Sequence, residues 1–418
     1  MSSTAPDVIL IGASVRSLAE DALADGLRPF CVDLFADRDL TSLPCEVHVV
    51  DHFAEAAALT AMVPAHVPAI VGGGAENDRA LIAAVQHQRP IAGCPLAVSA
   101  DRLFPLIADA GGSVPRHAGT DASAAAQPVA RWLLKSASSS GGGHVQPWSA
   151  ATADGPKGTA VWPENGFLQE WLSGPVFSCT WFSTGDQPTF EGIALQLSGE
   201  PALSAPGFSY CGNIGVPNPP PRLVEELRPV AKRLQQELGL SGFWGMDCVL
   251  HQERAHVIEV NVRLTASHEL HAGGCVLRQL QAYGWRDATL PPSAAPPAAM
   301  RPSIAPPAAP ASAGGPSPPL ARLVLYAPQS LRITQKQSDA LMAHRRGLSA
   351  DFWCADIPGP QTHIEGGTPL CSIYFPDAVC VADNVLHNVE RLLPHLSPQW
   401  SAGWLAKYQA QIRCLQQL

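Results

Sequence analysis

Charge is scarce in this chain. Asp, Glu, Lys and Arg make up 15% of its 418 residues, against 46% hydrophobic residues. That balance excludes a disordered chain and predicts a globular one with ample core. No basic stripe offsets the net charge of -9, so a nucleic-acid partner is not expected. No apolar run approaches the length of a membrane span, so no membrane partner is expected. Met1 to Leu10 has neither the charged nor the apolar region of a secretion signal. The eleven cysteines are odd in number and scattered, with no C-x-x-C pair. Cys31, Cys248 and Cys380 sit in apolar, strand-like contexts and read as small buried hydrophobes. The fourteen histidines show no H-E-x-x-H or finger spacing, which argues against structural zinc. There is no internal repeat. The length predicts two to four domains, and the cysteine usage predicts a reducing, cytoplasmic setting.

The clearest positive signal is Asp247 followed by Glu259-Val-Asn261-Val-Arg263. Polar residues recur at every second position within an apolar run, which places Glu259, Asn261 and Arg263 on one face of a strand. Two oxygen ligands and a guanidinium on one face suit a nucleotide triphosphate carrying Mg2+. Asp247 lies in a second apolar run, Phe243 to Leu250. The turn Gln252-Glu253-Arg254 separates the runs and predicts a hairpin. If His251 pairs with Ala255, Asp247 falls opposite Glu259, and a turn of another length puts them on opposite faces.

Upstream, Asp7–Ile11 reads as a buried strand, Val15–Asp25 as a helix and Arg28–Leu34 as a second strand. This is a β-turn-α-β unit of doubly wound type. Gly12-Ala-Ser-Val-Arg-Ser is not G-x-G-x-x-G. A third strand, Val67–Val71, runs into Gly72-Gly73-Gly74-Ala-Glu76-Asn77. That turn suits either a ligand approach or a helix cap. Arg131–Lys135 reads as a short strand. The Ser/Gly run from Ser136 to His144 follows it, able to fold over phosphates but lacking a Walker ending. Taken alone, that run reads as a surface loop. Phe167-Leu-Gln169-Glu170-Trp171-Leu172 reads as a strand leading into a bend. Tyr210-Cys211-Gly212-Asn213 reads as a turn, with an acceptor-pocket lining as the alternative. Cys211 lacks a histidine partner and is not expected to be a nucleophile. Arg222–Leu238 is an amphipathic helix with Pro221 in its first turn and Gly239 as C-cap, broken or kinked at Pro229. Pro291–Pro319 is rich in Pro, Ala and Ser and reads as a linker. The rest is globular: a strand at Ala321–Tyr326, a β-rich stretch at Ile364–Val381 and a helix at Ala382–Leu393.

Taken in order, the βαβ unit, the lysine-ended strand with its Gly/Ser loop, the Gln-Glu-x-Leu bend and the acidic hairpin resemble the ATP-grasp superfamily. Within it they resemble the branch of biotin carboxylase and the carbamoyl-phosphate synthase large chain. Closer still, the chain resembles predicted ATP-dependent carboligases often associated with tetrahydromethanopterin-linked one-carbon metabolism. The resemblance implies an α/β ATP-grasp fold with four parts. A doubly wound domain spans 1–100 and the ATP-grasp domain 101–285, with its lid at about 115–170. A linker spans 286–320 and a β-rich α+β domain 321–418. It implies that Asp247, Glu259 and Asn261 hold Mg2+, with Mn2+ as the alternative ion, on the phosphates of ATP. Arg263 would face the transferred phosphate and act in catalysis. Lys135, Ser138, Gly141, Gly142 and Gly143 would contact and cover the phosphates. Gln169, Glu170 and Leu172 would read the adenosine, and Arg102 would reach the nucleotide.

A carboxylate becomes a competent electrophile once phosphorylated, and phosphoryl transfer needs mainly positioning and charge neutralisation. Biotin carboxylases carry a glutamate base four residues after the strand arginine. Here that position is Ser267, which cannot serve unaided, although His268 or Glu269 could take the role. No Ala-Met-Lys-Met carrier segment is present. The sequence therefore predicts an Mg2+- and ATP-dependent ligase joining a small carboxylate to an amine. The alternatives are a bicarbonate-using carboxylase or carbamoyl-type enzyme, and a nucleotide-binding regulator without turnover. The C-terminal segment would be structural, complete the acceptor site or make a homodimer contact.

Overall fold

The computed structural model describes residues 5–93, 98–118, 131–136, 140–148, 166–270, 274–285, 321–345 and 352–375, with short pieces at 410–411 and 414–415. Ser138, Cys380, the linker expected at 286–320 and the helix expected at 382–393 lie outside these residues, as does most of the lid.

Val8–Gly12, Pro29–Asp33, Glu46–Val49 and Ala69–Val71 form a parallel sheet. Val8-Ile-Leu-Ile is apolar throughout because helices cover both faces of such a sheet; all four residues are fully buried. The first helix, Arg16–Ala24, starts where Asp33 Oδ2 accepts from Val15 N at 2.8 Å. The strand order places Val8–Gly12 between Pro29–Asp33 and Ala69–Val71. Chain direction across the sheet therefore reverses between Val8–Gly12 and Ala69–Val71, where open α/β sheets open a ligand crevice. Here the crevice mouth is built from backbone: Gly72 N donates to Ile11 O at 2.7 Å and Ala13 N to Gly73 O at 3.0 Å.

An eight-stranded antiparallel sheet forms the main body. Its order is Arg254–Asn261, Gly242–His251, Val176–Ser183, Thr189–Ser198, Tyr210–Gly215, Ala321–Tyr326, Pro369–Phe375 and Trp353–Ala355. Helices Ala100–Asp109 and Pro221–Leu238 pack on it around Trp181 and Trp244, whose rings stack at 6.2 Å. Burying such side chains contributes about 1.5–3 kcal/mol each. Pro221–Leu238 is one uninterrupted 18-residue helix with Pro229 inside it, so of the expected kink or break the break does not occur. Its buried face, from Leu223 to Leu234, packs on the sheet to either side of the one missing N–H. Gly239 caps it at φ +63°. Three strands beyond residue 320, Ala321–Tyr326, Trp353–Ala355 and Pro369–Phe375, belong to this same sheet, while Leu331–Arg332 and His363–Ile364 pair in a small sheet of their own. A third sheet, in the order His117–Ala118, Gly166–Glu170, Trp132–Ser136 and Gln146–Trp148, carries Lys135, Gln169 and Glu170. Among the described residues no helix is long and apolar enough to cross a membrane.

Two local expectations need correction. Tyr210-Cys211-Gly212-Asn213 is a strand, not a turn. Gly212 is required there because a Cβ would lie 2.3 Å from Arg322 O on the neighbouring strand. The hairpin turn is also tighter than expected: His251 pairs with Arg254, and Gln252 and Glu253 both take positive φ, as a type I′ turn requires.

Candidate active site

The tight turn alone would put Ile258 opposite Asp247. A bulge between the Cys248–Val257 and Asp247–Glu259 pairs inserts Ile258 as an extra residue, so Asp247 does face Glu259. The expected pairing of the carboxylates is reached by a different register. Asn261 Nδ2 donates to Asp247 Oδ2 at 3.1 Å. Burial, and then the neighbouring Glu259, push the Asp247 carboxyl up to about 6, against the opposing pull of Ser178, Arg263 and Lys135.

Asp247, Glu259, Asn261 and Arg263 line one cavity of about 1060 Å³. Lys135, Gly141, Gly142, Gln169, Glu170 and Leu172 line it as well. Lys135 Nζ donates to Gln169 Oε1 at 3.2 Å, joining the two strands that carry them. Glu170 is held by Arg116 through contacts of 2.7 and 3.0 Å, which keep its carboxyl below the ordinary range. The glycine loop is docked: Tyr210 N donates to Gly141 O at 2.8 Å. Gly143 does not line the cavity; it packs beside Ser209. Arg102 does not reach the cavity either. Its helix buries Leu103, Phe104 and Ile107, which turns Arg102 outward to solvent.

Arg263 has a partner that no local pattern indicated. Its Nε donates to Glu76 Oε1 at 2.6 Å. Glu76 follows the Gly72–Gly74 turn, so that turn serves the cleft. Ser267 is buried and shares hydrogen bonds with Thr265 at 2.9 Å and Thr180 at 3.3 Å. Glu269 accepts from Tyr374 at 2.8 Å and from Arg16 and Arg322 at 3.4 and 3.3 Å, so it is fully occupied. His268 Nδ1 faces Thr265 O at 2.5 Å, and its Nε2 is buried with no hydrogen-bond partner among the described residues.

Among the described residues no cluster of three or more His, Cys, Asp or Glu could hold a metal. The donor set on the hairpin is two carboxylates and an amide. It offers oxygen to a hard divalent cation.

A cleft between a glycine-loop sheet and an acidic hairpin defines a class of nucleotide-binding α/β folds, and comparison with known proteins specifies it. Residues 102–267 match the model of an ATP-grasp domain. No curated protein matches the sequence. Among solved structures, N5-carboxyaminoimidazole ribonucleotide synthetase from Thermus thermophilus is similar at 12% identity and TM-score 0.58, covering 93% of this chain and 97% of that one. The Aspergillus clavatus synthase, solved with ADP and 5-aminoimidazole ribonucleotide, has 9% identity and TM-score 0.61, covering 94% and 98%. The biotin carboxylase domain of Hydrogenobacter thermophilus 2-oxoglutarate carboxylase, solved with MgADP and bicarbonate, has 10% identity and TM-score 0.61, covering 98% and 99%. The chain carries an ATP-grasp domain. Its fold is like that of the ribonucleotide synthetases and the biotin carboxylase domain named above.

Proposed function

We propose that the chain is an Mg2+- and ATP-dependent ligase. It activates a small carboxylate as an acyl phosphate, a nitrogen nucleophile attacks the acyl carbon, and ADP and phosphate are released. The observation that carries this reading is the opposed pair Asp247 and Glu259, sharing one cavity with Asn261, Arg263 and Lys135. In this reading Asp247, Glu259 and Asn261 hold Mg2+, which neutralises phosphate charge when bound. Lys135, Gly141 and Gly142 position the phosphates. Gln169, Glu170 and Leu172 hold the adenosine. Arg263, released from Glu76 or shared with it, stabilises charge on the transferred group. Ser138 and Gly143 belong to the lid, and a role for Arg102 has no geometric support. Described residues of the 1–100 and 321–418 segments, among them Ser14, Asp37, Arg322 and Ser372, line the same cavity as the 101–285 ATP-grasp domain and would wall its acceptor end. A second copy of the chain is an expected partner, by analogy with the Hydrogenobacter domain dimer.

The neighbours give specific support to a second version, in which the activated carboxylate is bicarbonate. One was solved with bicarbonate and another with an amino ribonucleotide. Both versions pass through an acyl phosphate. Ser267, held in a hydroxyl network, supplies no carboxylate base, which favours the amide-forming version. An ADP-release assay with Mg2+, amines and either organic carboxylates or bicarbonate tests both. Glu259→Gln should abolish turnover, and wild-type activity in that variant sinks the site assignment.

A further inference from the structure

Consecutive glycines of the phosphate loop rest on consecutive residues at the head of another strand. Gly141 O accepts from Tyr210 N at 2.8 Å. A Cβ on Gly142 would lie 2.3 Å from Phe208 O, and one on Gly143 would lie 3.4 Å from Ser209 Oγ. Phe208, Ser209 and Tyr210 are therefore the seat of the loop. Gly141, Gly142, Phe208 and Tyr210 all line the cavity.

The sheet does not hold this seat through its ladder. Strand Tyr210–Gly215 pairs with Ala321–Tyr326 only from Gly212 to Ile214, so the pairing stops short of Tyr210. Main-chain carbonyls inside a fold need a donor. Tyr326 supplies one: its hydroxyl donates to Tyr210 O at 2.6 Å, across 116 positions of sequence. Tyr326 is 8% exposed. Burial, then Cys211, push its phenol up to about 12, so it keeps its proton at neutral pH. Tyr210 spends its own hydroxyl on Asn213 Oδ1 at 2.5 Å, within its strand. The two main-chain groups of Tyr210 thus join the loop to the C-terminal segment: Tyr326 donates to Tyr210 O, and Tyr210 N donates to Gly141 O.

We propose that Tyr326 is a positioning residue for the nucleotide phosphates. Its hydroxyl holds Tyr210, and Tyr210 holds the glycine loop in place at the cavity. Tyr326 acts through Tyr210 and makes no phosphate contact of its own. The inference rests on the reading above in which Gly141 and Gly142 position the phosphates. It gives strand Ala321–Tyr326 a task in nucleotide binding beyond extending the sheet.

Isothermal titration of the full chain and of Tyr326→Phe tests it, with two probes: adenosine, and the non-hydrolysable Mg2+ complex of adenylyl imidodiphosphate. The unaltered chain should bind the triphosphate analogue more tightly than adenosine. Tyr326→Phe removes one hydroxyl and should weaken the analogue about fivefold or more while adenosine stays within about twofold. Unchanged affinity for the analogue overturns the inference. So does an equal loss for both probes, which a role in the fold alone would give. A second measurement needs no variant: in the unaltered chain, hydrogen exchange at Tyr210 N–H should slow with the analogue and not with adenosine. Exchange that ignores the analogue overturns the inference as well. If the unaltered chain binds both probes equally, the phosphate-loop reading itself falls, and the inference falls with it. If the unaltered chain gains from the phosphates and Tyr326→Phe keeps that gain, the inference alone falls.

Discussion

Asp247 faces Glu259 because Ile258 is extruded from the ladder between them. The turn is one residue shorter than an even register needs, and the bulge restores that residue. Deleting Ile258 should therefore straighten the ladder and still leave the two carboxylates opposed. Mg2+-dependent ADP binding should stay within about tenfold of the parent, since the pair survives and one apolar contact is lost. Isothermal titration decides it. A loss beyond about a hundredfold would mean that the bulge, not the pairing, shapes the site.

The raised Asp247 carboxyl gives a pH signature. Its folded value is about 6 against an unfolded 3.8. Between those values the folded state holds more protons, so the stabilising contribution is present below pH 3.8. It is lost as pH rises through 6. Without metal, Asp247→Asn should stabilise the chain at pH 7.5 by on the order of 2 kcal/mol relative to its effect at pH 4. Added MgCl2 should raise Tm of the unaltered chain more at pH 7.5 than at pH 5. Thermal unfolding at the three pH values, with and without Mg2+, checks both. A pH-independent effect of Asp247→Asn contradicts the assignment.

Two neighbouring glycines separate backbone strain from contact. Gly141 and Gly142 take φ of +74° and +75°. A Cβ on Gly141 meets nothing within 4 Å, whereas one on Gly142 would lie 2.3 Å from Phe208 O. Both alanine variants carry the ~1–2 kcal/mol penalty of positive φ. Only Gly142→Ala must also lift the loop off Phe208. KM for ATP in Gly142→Ala should exceed that in Gly141→Ala by at least about fivefold. Equal values would show that the loop does not dock there during turnover.

The hairpin was legible from sequence because alternation survives even when register does not: Glu259, Asn261 and Arg263 face the cavity whichever residue pairs with His251. The bulge was hidden, since Ile258 is as apolar as its neighbours and no residue type marks the extra position. The Glu76–Arg263 contact was hidden for another reason. It spans 187 positions, and only the crevice between Val8–Gly12 and Ala69–Val71 brings the two together. Tyr210–Gly215 was misread because Gly212-Asn213 is a turn former locally. What selects glycine is the backbone of Arg322, on a strand more than a hundred residues later. Arg102 failed because a basic residue near a helix start says nothing about which way the helix face turns.

Arg16 is the residue on which three distant segments converge. It is 2% exposed and contacts Glu20 at 3.0 Å, Asp356 at 2.8 Å, Glu269 at 3.4 Å and Asp39 at 3.7 Å. Those partners come from the first helix, the end of strand Trp353–Ala355, the segment following the acidic hairpin and the short helix Arg38–Thr41. Arg16→Ala strands several buried carboxylates at once. Removing one partner of a buried pair typically costs about 3–5 kcal/mol. Glu269 is also held by Arg322 and Tyr374 and should relax least. The expected result is a single unfolding transition lowered by that amount in urea. Arg16→Lys should recover only part of the loss, because an ammonium cannot span four carboxylates with a planar fork. If the segments were energetically separate, Arg16→Ala would split unfolding into two transitions and leave the midpoint of the antiparallel sheet unchanged.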